Sequence, residues 1–179
     1  KPFNALATSS LKDLDLVILD AGAWQSLSRN EQNNIKNAVT QEGLGVFVMP
    51  SEELFYGSQP LIDFKFTRTA QTEVELQDGT VVSTFGYYLN PATNFNATLK
   101  LGNQILAGQA FLGFGSVSTT VLSNTYALQL KGNKERYKSL WSEILKSVLK
   151  PESGDVFWEE SFEFGEARSR LYRNQINQI

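Results

Sequence analysis

The first fifty residues alternate between short apolar segments and one amphipathic segment. Residues 14–19 form a nearly continuous apolar run, and residues 45–49 form a second, which is typical of strands buried on both faces. Between them, Ser28 and Glu31 have the spacing of a capping box, and Gly43 is placed to end the helix that starts there. The pattern predicts a βαβ unit with parallel strands and a right-handed crossover.

Residues 60–110 carry a different, two-residue alternation. Asp78-Gly79 is a turn signal between the alternating segments 72–77 and 80–85, which predicts a hairpin. Residues 99–106, with Gly-Asn at their centre, predict a second hairpin. We therefore expect an antiparallel, hairpin-rich insertion at about 60–110, appended to an α/β core.

The last third returns to core elements and then changes character. Residues 116–122 are rich in β-branched side chains and predict a further core strand. Residues 137–149 place apolar side chains at three- and four-residue spacing, which predicts an amphipathic helix ended by Pro151. Residues 156–164 alternate and are rich in aromatic side chains, which predicts a strand. The polar tail after it carries Arg168, Arg170 and Arg173. We expect one α/β domain over 1–151, and in 152–179 a connector or the first strand of a following domain.

Composition narrows the class of protein. With 179 residues, 41% hydrophobic and 20% charged, the chain can form one folded domain of ordinary size. Its 16 basic and 19 acidic residues give a net charge of −3, with no basic run of the kind that a nucleic-acid backbone requires. No apolar run approaches the roughly 20 residues that span a bilayer, and no signal peptide is visible.

The sequence contains no cysteine and no histidine. Disulfides, thiolate nucleophiles, the usual zinc ligand sets and imidazole-based triads are therefore excluded. We expect no cofactor. Because the chain begins at Lys1, we interpret it as a piece of a longer protein, with any membrane segments outside it.

Several of these segments resemble one family. Residues 16–20, the loop carrying Ser28 and Glu31, and residues 43–48 resemble the class I glutamine amidotransferase-like fold. Residues 113–126, with the helix after them, resemble a narrower group within it: domains of bacterial membrane-anchored proteins associated with von Willebrand-type and aerotolerance-operon proteins. The resemblance covers roughly residues 10–150.

The resemblance implies a Rossmann/flavodoxin-like, three-layer α/β sandwich. It also implies a soluble domain of an inner-membrane-anchored bacterial protein, with the periplasmic side favoured. The implied partners are other domains of the same chain and further envelope proteins, and the charge distribution already argues against nucleic acid. The catalytic cysteine of the family would fall at Met49 or Pro50, and its histidine has no counterpart. We therefore expect a non-catalytic domain.

Ligands of open α/β sheets bind outside the carboxyl ends of the strands, and this edge supplies the candidate site. Asp20, Gly22 and Trp24 follow the first predicted strand, and Ser51 and Glu52 follow the second. Asn124 and Tyr126 follow the later core strand. The structural alternatives are that Asp20 caps the turn, that the acids occupy the first turn of a short helix, and that Asn124 caps its strand.

Two functions remain open. The first is a scaffold or a module that binds a partner or small ligand, based on the missing nucleophile and base. The second is a carboxylate- or metal-dependent hydrolase that uses Asp20, Glu52 and Glu53. The second requires these three acids to converge.

Overall fold

The computed structural model describes residue 6 and residues 8–57, 59–91, 94–149, 156–163 and 166–173. Its helices are α1 (Thr8–Leu11), α2 (Ala21–Ser26), α3 (Arg29–Glu42), α4 (Glu52–Tyr56), α5 (Ala127–Leu130) and α6 (Lys134–Lys146). Its strands are β1 (Leu16–Leu19), β2 (Gly45–Val48), β3 (Phe66–Arg68), β4 (Glu73–Glu75), β5 (Val81–Thr84), β6 (Tyr87–Leu89), β7 (Phe95–Leu101), β8 (Gln104–Leu112), β9 (Gly115–Thr120), β10 (Leu122–Ser123), β11 (Val156–Glu163) and β12 (Glu166–Arg173).

Seven strands form the main sheet, in the order β1-β2-β9-β8-β6-β3, with β7 paired to β8. β1, β2 and β9 are parallel, whereas the pairs β9-β8, β8-β7, β8-β6 and β6-β3 are antiparallel. The protein therefore has an α/β fold with a mostly antiparallel sheet. The predicted parallel pairing of β1 with β2 and the predicted core strand β9 are confirmed.

Helices cover both faces of the parallel part of this sheet. A Cβ added to Gly45 of β2 would overlap the carbonyl of Val148, just beyond α6. The ring of Phe47 meets that of Trp141 of α6 edge-on, with ring centroids 5.7 Å apart. A Cβ added to Gly115 of β9 would instead lie 2.7 Å from the Val39 carbonyl oxygen of α3. Gly45 pairs with Ser116, so Gly115 faces the other way. α3 and α6 thus lie on opposite faces.

The helix between β1 and β2 begins and ends as its sequence predicts. The Ser28 hydroxyl accepts from the Glu31 backbone NH, and the Glu31 carboxylate accepts from the Ser28 backbone NH, which completes a capping box. Gly43 ends α3 with a φ of 77°. Because an L side chain is strained in this left-handed region, glycine suits the position.

The strands of residues 60–110 do not stand apart from the core. Both predicted hairpins form, as β4-β5 around Asp78-Gly79 and as β7-β8 around Gly102-Asn103. However, β3, β6, β7 and β8 extend the main sheet itself, and only β4 and β5 join β10 in a separate three-stranded sheet. The segment expected as an appendage therefore supplies more than half of the main sheet.

β9 joins the parallel and antiparallel parts of the sheet, and every residue in it is buried. Its hydroxyls donate to the backbone of the neighbouring strands: Ser118 to the Gly108 carbonyl at 3.0 Å and Thr119 to the Val48 carbonyl at 2.8 Å. Thr120 donates to the Leu106 carbonyl at 2.8 Å. These polar side chains are therefore buried with their donors satisfied.

The C-terminal residues form a hairpin of their own. β11 and β12 pair antiparallel, with Val156 opposite Arg173 and Glu163 opposite Glu166. The aromatic-rich strand is where the sequence predicts it. The segment predicted as a polar tail is a second strand paired with the first.

Candidate functional site

Asp20 lies where β1 ends and caps the helix that follows. Its carboxylate accepts a hydrogen bond from the Ala23 backbone NH at 2.6 Å, so α2 begins at Ala21. Gly22 lies in the first turn of this short helix. Trp24 is half-buried against the core, and its carbonyl accepts from the Gln32 side chain at 2.9 Å. This part of the predicted site is thus tied to local structure.

Ser51 and Glu52 lie at the start of α4, after β2. The backbone NH of Glu53 lowers the pKa of that side chain, and the Ser51 hydroxyl lowers it further. Ser51 Oγ is nevertheless buried without a well-aligned hydrogen-bond partner, so the backbone NH is the main cause. The Asp20 carboxylate acts in the opposite sense and raises the pKa of Glu53, which shows that these two acids are neighbours.

Two neighbouring carboxylates are fewer than the hydrolase alternative requires. Within the described ranges, no group of three or more acidic, histidine or cysteine side chains is placed to hold a metal ion. Glu52 is exposed in the first turn of α4, where the helix dipole favours an acid. The acids after β1 and β2 thus contribute to helix starts.

Asn124 and Tyr126 lie in a different environment. Asn124 has a φ of 48° and lines a cavity of about 30 Å³ with residues of β4, β5 and α5. That volume holds about two water molecules. None of Asp20, Gly22, Trp24, Ser51 and Glu52 lines this cavity. Tyr126 precedes α5 and is 59% exposed, while its neighbour Thr125 accepts a hydrogen bond from the Trp141 indole at 3.2 Å.

A larger cavity lies between β7 and α6, and we call it the β7–α6 groove. Its volume is about 390 Å³, within the range of roughly 300–1,000 Å³ of ligand pockets. Residues 97–100 of β7 form one wall, and Arg136 and Glu143 of α6 form the other. The lining is completed by Leu76 and Gln77 from the β4–β5 turn. No residue of the predicted site lines it.

The groove runs along an edge of the main sheet. Ala107 of β8 pairs with Leu99 on one side and with Thr120 of β9 on the other. Ile105 likewise pairs with Lys100 and with Leu89 of β6. β7 therefore lies alone on its side of β8, and in the described part of the chain no strand pairs with its outer edge.

Charged side chains occur at both ends of the groove. The Thr98 hydroxyl donates to Ser147 Oγ at 3.3 Å, so the Ala97–Thr98 end of β7 lies beside the C-terminal end of α6. Lys100 and Arg136 accordingly lie toward the other end. Arg136 Nε is 2.6 Å from the Asp78 carboxylate, although this ion pair is not aligned as a hydrogen bond.

The pKa of Asp78 is lowered, first by the Thr80 backbone NH and also by Arg136. Lys100 is exposed and makes no ion pair with any residue that the structure describes.

The sequence contains only a faint signal of this groove. Arg136 and Glu143 are seven residues apart, so they share one side of α6. Gln77 and residues 97–100 are distant from that helix in the chain, and nothing in their own pattern indicates that they meet it. The groove depends on non-local packing, which periodicity does not report.

An aromatic cluster holds α4 against β3 and β6. Phe55 stacks on Tyr87 with ring centroids 4.5 Å apart, and Phe66 meets Phe55 edge-on at 4.9 Å. The Tyr87 hydroxyl donates to that of Tyr56 at 2.5 Å, and this hydrogen bond raises the pKa of Tyr87. The cluster anchors the short helix that carries Glu52 and Glu53.

No protein-family model matches the sequence, and no curated protein is similar to it in sequence. The structure is similar to the cytoplasmic protein STM3548 from Salmonella typhimurium, with 15% identity and a TM-score of 0.53 over 80% of this chain and 75% of that chain. It is also similar to the cytoplasmic protein STM1381 from Salmonella typhimurium LT2, with 15% identity and a TM-score of 0.52 over 83% of this chain and 77% of that chain. At such identity the likeness shows the fold alone.

A weaker match is the exo-beta-1,4-mannosidase Op5Man5 from Opitutaceae bacterium strain TAV5. It has 12% identity over 68% of this chain and 23% of that chain, with a TM-score of 0.43, too low to establish a shared fold. Among the described residues, no helix is both long and apolar enough to cross a membrane.

Proposed function

We propose that this domain binds a partner protein and does not catalyse a reaction. The observation that carries the proposal is the β7–α6 groove, which has the volume of a binding site and an open sheet edge along one wall. The absence of cysteine and histidine from the sequence supports it, since a thiolate or imidazole mechanism lacks its reactive groups. The capping bond of Asp20 supports it as well, because this carboxylate already serves its own helix.

We further propose a relation to the class I glutamine amidotransferase-like fold. The parallel unit β1-α3-β2 with β9 beside it, and helices on both faces, supports this relation. The antiparallel strands β3, β6, β7 and β8 are then additions to the parallel unit. On the same resemblance we propose a place within a larger, membrane-anchored bacterial protein, with other domains and envelope proteins as partners.

Photocrosslinking in the source cells tests the binding role. A photoreactive phenylalanine analogue replaces exposed Gln77 in the groove, or exposed Lys36 on α3 as a matched control on the opposite face of the sheet. We expect a discrete adduct from position 77 that is absent from position 36. Equal adducts from both positions, or none from position 77, would contradict the proposal.

The enzymatic alternative has its own readout. The purified domain and its Asp20→Ala variant are assayed for amidase and hydrolase turnover, and their melting temperatures are compared. We expect no turnover by either protein and a stability cost in Asp20→Ala of about 0.5–2 kcal/mol, as for a lost helix cap. Turnover that disappears in the variant while its melting temperature is unchanged would establish an enzyme instead.

A further inference from the structure

We propose that the occupant of the β7–α6 groove is an extended peptide of a partner protein, which pairs with the free edge of β7 as an additional strand. This inference rests on the proposed binding function and specifies the chemistry of the partner. Strand addition of this kind derives its affinity from main-chain hydrogen bonds along a sheet edge.

The groove lies beside the edge of β7. Four consecutive residues line it, from Ala97 to Lys100, where a register shift against β8 interrupts the usual alternation of side chains between the two faces. In the described part of the chain no strand pairs with the outer edge of this segment, so its backbone NH and carbonyl groups are open to a ligand in the groove.

The two walls have matching lengths. Residues 97–100 span about 10 Å at roughly 3.3 Å per residue of strand. Arg136 and Glu143 are also about 10 Å apart, at 1.5 Å per residue of helix. The groove therefore accommodates about three or four residues of an extended chain, with α6 flanking it as a second wall.

The pairing of β7 with β8 is irregular between Ala97 and Lys100. Such bulges twist an edge and restrict its further pairing. This irregularity favours a short ligand segment over open-ended pairing with the long strand of another sheet.

The charges of the groove define the peptide further. Lys100 and Arg136 make one end positive, and Glu143 lies toward the other end. The ion pair with Asp78 partly neutralises Arg136, so exposed Lys100 is the main attraction for an anion. We assign an acidic residue of the peptide to Lys100 and a basic residue, two to four positions away, to Glu143.

A displayed library of random eight-residue peptides, selected on the purified domain, provides the probe. The selected peptide is labelled, and its dissociation constant is measured at low and high salt. We expect Lys100→Glu to weaken binding about five- to tenfold at low salt and less at high salt, because screening reduces surface attraction. The matched control Lys36→Glu, with the same charge change on α3, should leave binding unchanged. Equal losses in both variants would overturn the assignment of Lys100.

Main-chain pairing has a separate readout. Methylation of single backbone nitrogens along the peptide removes one donor at a time, and alternate positions should lose at least about tenfold in affinity. Glu143→Lys should weaken the selected peptide, and reversal of the basic residue of the peptide to an acid should restore affinity.

If methylation at every position is harmless, or if no extended peptide is selected, strand addition is overturned. If position 77 nevertheless gives its discrete crosslink, the proposed binding of a partner protein still stands. If position 77 gives no crosslink, the binding function and strand addition both fail.

Discussion

Asp20 and Glu31 are acids that the fold uses to start helices. Asp20 accepts from the Ala23 NH at 2.6 Å, and Glu31 accepts from both the NH and the hydroxyl of Ser28, at 2.8 and 2.7 Å. The two hydrogen bonds to Ser28 lower the pKa of Glu31. Carboxylates near strand ends thus have a structural use here, and a cluster of them in the sequence is weak evidence for catalysis.

The lowered pKa of Glu31 makes the capping box sensitive to acid. A carboxyl group whose pKa is lowered on folding adds stability that is complete above its ordinary pKa and is lost as the pH falls through the lowered one. We expect Glu31→Gln to be less stable than the native protein at about pH 7, with the difference shrinking as the pH falls through the lowered pKa of Glu31. Urea unfolding at a series of pH values measures this.

Glu52→Gln, which removes the same charge from the first turn of α4, is the control. A constant deficit of Glu31→Gln across the whole range would show that the charge of Glu31 is immaterial.

The side chains of the candidate site show how much of it the sequence predicts. The edge rule placed Asp20 and the acids after β2 at one rim, and Asp20 raises the pKa of Glu53 as a nearby like charge does. The roles of these side chains could not be predicted, because a capping bond depends on where the next helix begins. Residues 97–100 gave no signal, since an edge strand is recognised only from its neighbours.

At the scale of elements, α6 lies close to β2 because Gly45 has no side chain. A Cβ there would overlap the Val148 carbonyl oxygen and lie 2.9 Å from its carbon, and these are backbone atoms that cannot rotate away. The glycine thus sets the distance between the helix layer and the sheet.

Gly45→Ala should therefore displace the end of α6. We expect a loss of about 1–3 kcal/mol in the free energy of unfolding, in the range found for overpacked cores, together with lower hydrogen-exchange protection of residues 140–148. Gly22→Ala is the matched control: the nearest atom to its Cβ is Asp20 Oδ1 at 3.4 Å, and alanine suits a helix better than glycine. If both variants unfold at the same denaturant concentration as the native protein, the contact with Val148 is not limiting.

The long helices α3 and α6 could be predicted from their periodicity, whereas the short helices α2 and α5 could not. α3 and α6 each repeat their apolar spacing over more than three turns, and the turn signals of the two hairpins are local. α2, α4 and α5 have four to six residues, and a helix of that length is held by its surroundings rather than by its own propensity. For α4, the surroundings are the aromatic rings of β3 and β6.

At the scale of the whole molecule, the hydrophobic core is shared between the main sheet and the three-stranded sheet. Buried side chains of both sheets, such as Phe47 of β2 and Val82 of β5, belong to one cluster. The sequence could not predict that β3, β6, β7 and β8 would join the parallel strands, because strand order is set by contacts between distant segments. It is this shared sheet that brings β7 beside α6.

A shared core should unfold as one unit. Phe47 is fully buried, and its ring centroid lies 5.7 Å from that of Trp141. Phe47→Ala should therefore lower the free energy of unfolding by about 3–5 kcal/mol. Hydrogen exchange at increasing denaturant should then expose residues 45–48 and 81–84 at the same concentration, in the native protein and in the variant. Loss of protection in residues 45–48 alone would show that the two sheets are separate folding units.

The three buried hydroxyls of β9 favour one alignment of the central strands. Ser118, Thr119 and Thr120 each donate to a backbone carbonyl of β2 or β8. A shift of β9 by one position would turn each of these side chains to the opposite face of the sheet and separate it from its present acceptor. Because a buried donor left without an acceptor costs about 1–3 kcal/mol, these hydroxyls help to fix how the parallel and antiparallel halves of the sheet are joined.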